Sequence, residues 1–472
     1  MKEISWPYFD PEFENLTEKM FGPRVWIDNE SCDRCTVVKV DSLNKPAFHL
    51  EVVQVLTDMD LYISKCYISS DGRWSIDVFH VRDQLGCKVT DERVINYLQQ
   101  AIGARRDLQK TGDVDASCPL GTKLAGDCKE IEMIGTNRPG LFCDISAVLA
   151  DLKCNIVEAH AWSHNACLAC VAYISDESNS SCINDPHRLA AIEYHLSNVL
   201  RPNGSSSSSE HKVVRMAFSD CGSSMTSDAE HRLHQLMLAN RDFDGPEGRH
   251  VAPPPATTAA ADCDEQKGRP MVSVDSCHER GYSVVNVDCT DRPKLMFDVV
   301  CALTDMQYVV FHACVTCHGS FAHQEYYIRD TKGRTIDAQS EKEELAKCLE
   351  AAIKRRVCEG TVRLELCAHS SAGLLPHVTR VLCEYGLTVV RADIETQGER
   401  TVHVFYVRDV SGSEVDMSTL ERMRGELQPL AVQVKHESPR RPNSPKKKTH
   451  VSFGSKLMTQ IEKLSHGLIS IS

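Results

Sequence analysis

Residues 44–83 read NKPAFHLEVVQVLTDMDLYISKCYISSDGRWSIDVFHVRD, and the pattern of this stretch is laid down four times in the chain. Asn44 is followed 39 positions later by Asp83. Asn137 and Asp176, Asp291 and Asp330, and Ser370 and Asp409 stand at the same distance. A turn residue (Gly72, Asn165, Gly319 or Gly398) falls 11 positions before each final Asp. Phe48, Val52, Val55, Leu56 and Met59 are spaced as one face of an α-helix. Leu141, Ile145, Val148, Leu149 and Leu152 repeat that stripe, as do Leu295, Val299, Ala302, Leu303 and Met306, and Leu374, Val378, Val381, Leu382 and Tyr385. An internal repeat this regular decides the architecture before any motif is considered.

Each unit opens with a β-rich run such as 36–40 or 283–287, followed by a polar loop and the helical stripe. Two strand-like runs joined at the turn residue come next, then a second helical pattern, as in Val94, Leu98 and Ile102. The order β-α-β-β-α with a closing strand predicts an α+β fold of four ferredoxin-like βαββαβ repeats, each an antiparallel sheet with two helices on one face. Val25, Ile27 and Asp28 before the first unit recur as Val272, Val274 and Asp275 before the third. The chain therefore reads as two tandem pairs, each with an added N-terminal β segment. Repeats one and two are expected to share one side-by-side module, and three and four another.

The boundaries that follow are 1–34 for an N-terminal segment, 35–115 and 127–202 for repeats one and two, 271–357 for repeat three with its extra β segment, and 360–436 for repeat four. Residues 203–270, with a serine run, Pro253-Pro254-Pro255 and an Ala/Thr tract, read as linker. Within it, 230–237 suggest a short helix. Residues 437–472 read as a basic hinge followed by an amphipathic helix carrying Leu457, Ile461, Leu464 and Leu468.

The net charge of −13 argues against a general nucleic-acid or anionic-membrane binder. No apolar run approaches the ~18 residues of a spanning helix. The start, Met1-Lys2-Glu3-Ile4-Ser5-Trp6-Pro7, lacks the pattern of a secretory signal. A cytoplasmic location is expected, with the basic run Arg440 to Lys448 leaving nuclear import open. The 22 cysteines are then expected as reduced thiols, many of them small core residues.

This fold hosts many activities, so the site must decide. Copper-chaperone-like domains need paired cysteines between the first strand and helix, and none of the four loops has them. RNA-recognition domains need aromatics on the central strands, and the four first strands carry almost none. The third possibility is carried by Asn137-Arg138-Pro139-Gly140-Leu141, with partial versions at Asp291-Arg292-Pro293-Lys294-Leu295 and Asn44-Lys45-Pro46. This loop resembles the signature of the ACT domain. Four such units, together with stretches such as Pro7-Tyr8-Phe9-Asp10-Pro11, 58–65, 280–287 and Arg232-Leu233-His234-Gln235, resemble the plant ACT-domain-repeat family over nearly the whole chain. That family is similar in turn to the sensor region of bacterial glutamine-responsive uridylyltransferases. The resemblance implies a non-catalytic regulatory protein that senses a free amino acid and pairs with itself or other proteins through its sheets. The alternative is a scaffold that kept the fold and no longer binds a small molecule.

The loop has a rationale of its own. A Pro near the first turn suits a helix start, and small residues let a ligand approach the backbone. Free N–H groups at a helix N-terminus favour a carboxylate. The expected ligand residues are Asn137, Arg138, Pro139, Gly140, Leu141, Asp291, Arg292, Asn44 and Gly373, with the Asn137 loop best preserved. Asn137 and Asp291 are read either as helix caps or as partners of a ligand's ammonium group. Ser371-Ala372-Gly373 lacks the Arg-Pro, so one or more repeats are open to having lost binding.

Cys32/Cys35, Cys167/Cys170 and Cys314/Cys317 form Cys-x-x-Cys pairs, which bring zinc to mind. The latter two pairs fall on strands, where residues three apart point to opposite faces. Cys32/Cys35 lies between β segments and lacks a clear second pair. His80 reads as a strand residue. No metal, cofactor or catalytic constellation is expected.

Overall fold

The computed structural model describes residues 22–104, 128–201, 215–220, 226–244 and 270–436, apart from Pro46, Asp71, Gly72, Asn179, Glu359, Ala372 and Pro429. The tail expected as a basic hinge and amphipathic helix lies outside them.

The repeat is built as its periodicity requires. Repeat one runs β1 (Arg24–Asp28), β2 (Thr36–Leu43), α1 (Phe48–Asp58), β3 (Tyr62–Ser70), β4 (Trp74–Arg82) and α2 (Glu92–Ala104). Repeat two runs β5 (Lys129–Thr136), α3 (Leu141–Asp151), β6 (Cys154–His164), β7 (Cys167–Asp176), α4 (Pro186–Leu200) and β8 (Arg215–Asp220), followed by α5 (Thr226–Ala239). Repeat three has β9 (Met271–Cys277), β10 (Tyr282–Thr290), α6 (Leu295–Asp305), β11 (Tyr308–His318), β12 (Phe321–Asp330) and α7 (Gln339–Arg355). Repeat four has β13 (Val362–His369), α8 (Leu374–Glu384), β14 (Leu387–Gln397), β15 (Arg400–Asp409), α9 (Met417–Glu426) and β16 (Ala431–His436). The α1 stripe is buried throughout, from Phe48 to Met59.

The marks of the repeat have structural jobs. Each final Asp closes the turn after the third strand: Asp83 Oδ1 accepts from the amides of Leu85 and Cys87, and Asp330 Oδ1 from those of Lys332 and Arg334. Gly86, Gly333 and Gly412 follow at φ near 80°, where only glycine is unstrained. Each first mark donates its amide to the hairpin of the next two strands, Asn137 to the Ala166 carbonyl and Asp291 to that of Ser320, both at 2.8 Å.

The closing strand comes from different ends of the repeat. In repeats two and four it is C-terminal, β8 and β16; in one and three it is the N-terminal segment, β1 and β9. The stretch expected as linker thus supplies β8 to the sheet of repeat two. Its helix α5 covers that sheet's other face, where Ala229, Leu233 and Met237 pack with Trp162, Cys167 and Val171.

The expected pairing of neighbours is corrected. One sheet runs β1-β2-β4-β3-β11-β12-β10-β9 and the other β16-β13-β15-β14-β6-β7-β5-β8. The first compact unit is built on repeats one and three, the second on repeats two and four. In each unit two second strands, which would otherwise be bare edges, pair antiparallel and close one another. The seam chemistry explains the choice. His160 and Asp393 face each other in the second unit; the corresponding positions in the first are Tyr67 and Cys314. Pairing neighbours would set His160 against Tyr67 and Asp393 against Cys314, and each of these buried charges would lose one of its two partners. The 247-residue displacement relates repeat one to repeat three, and these are the repeats whose second strands pair, with Tyr67 facing Cys314.

Candidate functional site

The four strand-to-helix loops end alike. Ala47, Gly140, Lys294 and Gly373 precede the first helices in the left-handed conformation, at φ 64°, 81°, 64° and 79°. None of these helices receives a side-chain cap hydrogen bond at that position. Asn137 and Asp291 therefore do not act as caps, and their side chains turn elsewhere.

The Asn137 side-chain amide donates to Ser163 Oγ at 2.5 Å, within its own repeat. Asp291 reaches across the seam instead. It accepts a short hydrogen bond from the Tyr62 hydroxyl of repeat one, and Cys317 Sγ lies 3.5 Å from its other oxygen. Burial raises the Asp291 carboxyl above its usual range, although both hydrogen bonds oppose that rise. Burial likewise pushes the Cys317 thiol up to about 12, with Asp291 adding to it. Around this carboxyl lies a narrow crevice, partly open to solvent, whose enclosed space is about 20 Å³. Tyr62 and Ile63 line one side, and Asp291, Lys294 and the start of α6 the other, with Cys317 and Gln324 alongside. The N-terminus of α6 brings its positive dipole end to the same space.

The arginines of the motif serve the helix. Arg138 Nη2 is 2.6 Å from Asp144 Oδ2, and Arg292 Nη2 is 2.6 Å from Asp298 Oδ2. Each guanidinium thus ties the loop to an acid in the first helical turn, where negative charge is favoured. Asp298 is fully buried. The same pair is visible in the sequence as Lys45 and Glu51 in repeat one, and is replaced by Ser371 and His377 in repeat four. This spacing of six is a signal readable in the sequence itself.

Of the expected residues, Asp291 and Arg292 gather at the crevice. Asn137 to Leu141 form the matching loop of repeat two, where Thr388 occupies the repeat position of Tyr62. Asn44 stays at the loop of repeat one and Gly373 at that of repeat four; Pro139, like Pro293, lies in the turn before its helix. Sequence reading missed Tyr62, which is far from Asp291 along the chain and meets it only through the seam.

The cysteine pairs separate as strand geometry demands where it applies. Cys167 faces the α5 side of its sheet and Cys170 the helix-side core. Cys32 and Cys35 stay together: the Cys35 thiol donates to Cys32 Sγ at 3.1 Å, and His80 Nδ1 is 3.3 Å from Cys35 Sγ. The hydrogen bond from Cys35 holds the Cys32 thiol below its usual range, while burial pushes Cys35 up to about 11. No helix among the described residues is long and apolar enough to cross a membrane.

Comparison with known proteins agrees with this architecture. A family model described as the ACR family N-terminal ACT domain matches residues 31–109. The ACT domain-containing protein ACR2 of Arabidopsis thaliana is 50% identical over 452 residues, covering 93% of this chain and 90% of that protein. ACR3 of the same plant is 48% identical over 442 residues, covering 93% of each chain. The bifunctional uridylyltransferase/uridylyl-removing enzyme of Gluconobacter oxydans (strain 621H) is 44% identical over 69 residues, 15% of this chain and 7% of that enzyme. Four ferredoxin-like repeats, the loop motif and full-length relatives at this identity lead to one conclusion: the chain belongs to the ACR family of ACT domain-containing proteins.

Proposed function

We propose that the protein is a non-catalytic regulator that binds a free amino acid in the crevice between the Asp291 loop of repeat three and the Tyr62 edge of repeat one. The observation that carries this reading is the half-buried Asp291 carboxyl, shared between two repeats beside a helix N-terminus. A zwitterion matches both ends of the crevice. Its ammonium group replaces the Tyr62 hydroxyl at Asp291, and its carboxylate lies toward Lys294 and the start of α6. The loops at Asn137–Leu141, Asn44 and Gly373 are the corresponding positions in the other repeats. Arg138 and Arg292 position their loops through Asp144 and Asp298 rather than meeting the ligand.

That last point favours a second reading, a scaffold without ligand, because the motif's cations are already engaged by the protein itself. Titration calorimetry of the full chain against the twenty amino acids separates the two. The sensor reading expects saturable heat with at least one amino acid, lost in Asp291→Asn. Binding to none of the twenty favours the scaffold, and a heat that Asp291→Asn leaves unchanged removes the crevice as its site.

A further inference from the structure

Three soft donors meet at one end of repeat one. Cys32 lies in the loop between β1 and β2, Cys35 directly precedes β2, and His80 sits on β4. One donor atom from each lies within 4.8 Å of the others. Cys35 is buried, while Cys32 and His80 are partly exposed, so the cluster is reachable from solvent.

Repeat three shows what the fold itself requires here. At the positions of Cys35 and His80 it carries Tyr282 and Tyr327, packed edge-to-face at 5.3 Å with Phe311 beside them. Glu279 occupies the position of Cys32. Aromatic bulk is therefore sufficient for packing at this corner, and repeat one has put two thiols and an imidazole in its place.

The loop that carries the thiols is also fixed. Asn29 Nδ2 donates to the Val89 carbonyl at 2.9 Å, Lys88 Nζ to the Asn29 carbonyl at 2.8 Å, and Thr36 Oγ1 to Asn29 Oδ1 at 2.7 Å. These bonds strap the β1–β2 loop to the segment after β4, so the donors are held in place by their surroundings.

We propose that Cys32, Cys35 and His80 form a zinc-binding site. Zn–S distances of about 2.3 Å and Zn–N distances of about 2.0–2.1 Å place two tetrahedral sulfurs roughly 3.8 Å apart. The sulfurs at 3.1 Å need to spread by less than about 1 Å to reach that geometry. Zn²⁺ displaces one proton from each thiol and releases two to solvent, while neutral His80 donates its Nδ1 lone pair. Three protein ligands leave the fourth position to water or to a donor from outside the chain.

The test uses full-length reduced protein, stripped with a chelator and titrated with Zn²⁺ against a chromophoric competitor, with Co²⁺ as a spectroscopic substitute. Wild type should take up one more ion per chain than Cys32→Ser/Cys35→Ser, with a thiolate-to-cobalt charge-transfer band that the double variant lacks. His80→Gln should weaken binding by at least about tenfold. Cys35→Tyr/His80→Tyr, which copies repeat three, should keep the wild-type circular dichroism and lose the ion. Equal uptake and affinity in wild type and these variants would overturn the proposal. So would reduced protein that takes up no ion, including one in which the two thiols are recovered only as a Cys32–Cys35 disulfide after oxidation.

Discussion

His160 and Asp393 face each other across the seam of the second unit, Nδ1 to Oδ1 at 2.9 Å, and both are buried. Glu158 holds the other ring nitrogen at 2.9 Å, and Arg391 Nε lies 2.9 Å from the second oxygen of Asp393. Burial opposes charge on His160, but the hydrogen bonds with Asp393 and Glu158 outweigh it and lift the imidazole to about 9. A histidine raised on folding adds stability that is complete below its unfolded value near 6.5. That contribution is gone once pH passes about 9. The melting midpoint of the second unit should therefore fall across this window. His160→Gln should flatten that dependence and, at neutral pH, cost about 3–5 kcal/mol by removing the positive charge from between Asp393 and Glu158. Parallel pH profiles for wild type and variant would show that the seam pair does not set it.

Gly140 is constrained by its backbone rather than by space. A Cβ built there meets Cys383 Sγ at 3.8 Å, an ordinary contact, but φ is +81°. Gly140→Ala should cost roughly 1–2 kcal/mol, tolerable because Ala47 and Lys294 hold the same conformation. Gly140→Val should cost more, since a branched side chain fits that region worst. Urea unfolding of the three proteins gives the order directly, and equal midpoints for Ala and Val would refute it.

The two arginine clamps should differ in weight. Arg292 and Asp298 are 16% and 0% exposed, whereas Arg138 and Asp144 are 30% and 45% exposed. Arg292→Ala should cost about 3 kcal/mol by taking the guanidinium away from the buried Asp298 carboxylate. Arg138→Ala should cost less than about 1 kcal/mol. Denaturant titration of each single variant measures both, and a reversed order would mean that the loops are held by something else.

Amino-acid affinity at the Asp291 crevice should be acid-sensitive. Burial raises that carboxyl, so it loses its charge at a higher pH than an exposed aspartate. An ammonium group needs the ionised form, so affinity should decline as pH falls into the raised range, and binding should release protons there. Calorimetry in buffers of different ionisation enthalpy reads the proton count. A count of zero across the whole range would place the ammonium elsewhere.

The interleaved pairing also sets what a cut between the halves does. A specific protease site placed in the 256–261 tract divides the chain into repeats one and two and repeats three and four. The β3–β11 and β6–β14 seams each join one repeat from either side of the cut. The fragments should co-elute in gel filtration and separate only in denaturant. Two independently migrating halves would contradict the pairing.

Most of the repeat was legible because its marks are local. The helical stripe and the turn Asp with its following Gly are dictated by neighbours a few positions away. The partners of each repeat were not, because nothing in a 247-residue displacement distinguishes a shared ancestor from a shared seam. The strand Arg215–Asp220 lay in a stretch whose serines and prolines read as linker. Tyr62 and Asp291, or Cys35 and His80, become neighbours only through strand pairing. Reading Lys45, Arg138 and Arg292 against Glu51, Asp144 and Asp298 would have found the clamp.

The alternation of repeats also imposes a timetable on the growing chain. The edge that β3 presents after synthesis of Ser70 has no mate until Tyr308 to His318 have been made. At about 5–20 residues per second, the roughly 240 intervening residues take on the order of 10–50 s. β6 waits in the same way for β14. For that interval each early repeat must shield a bare strand edge by itself or with a chaperone, and neither unit can be finished until its partner, repeat three or repeat four, has left the ribosome.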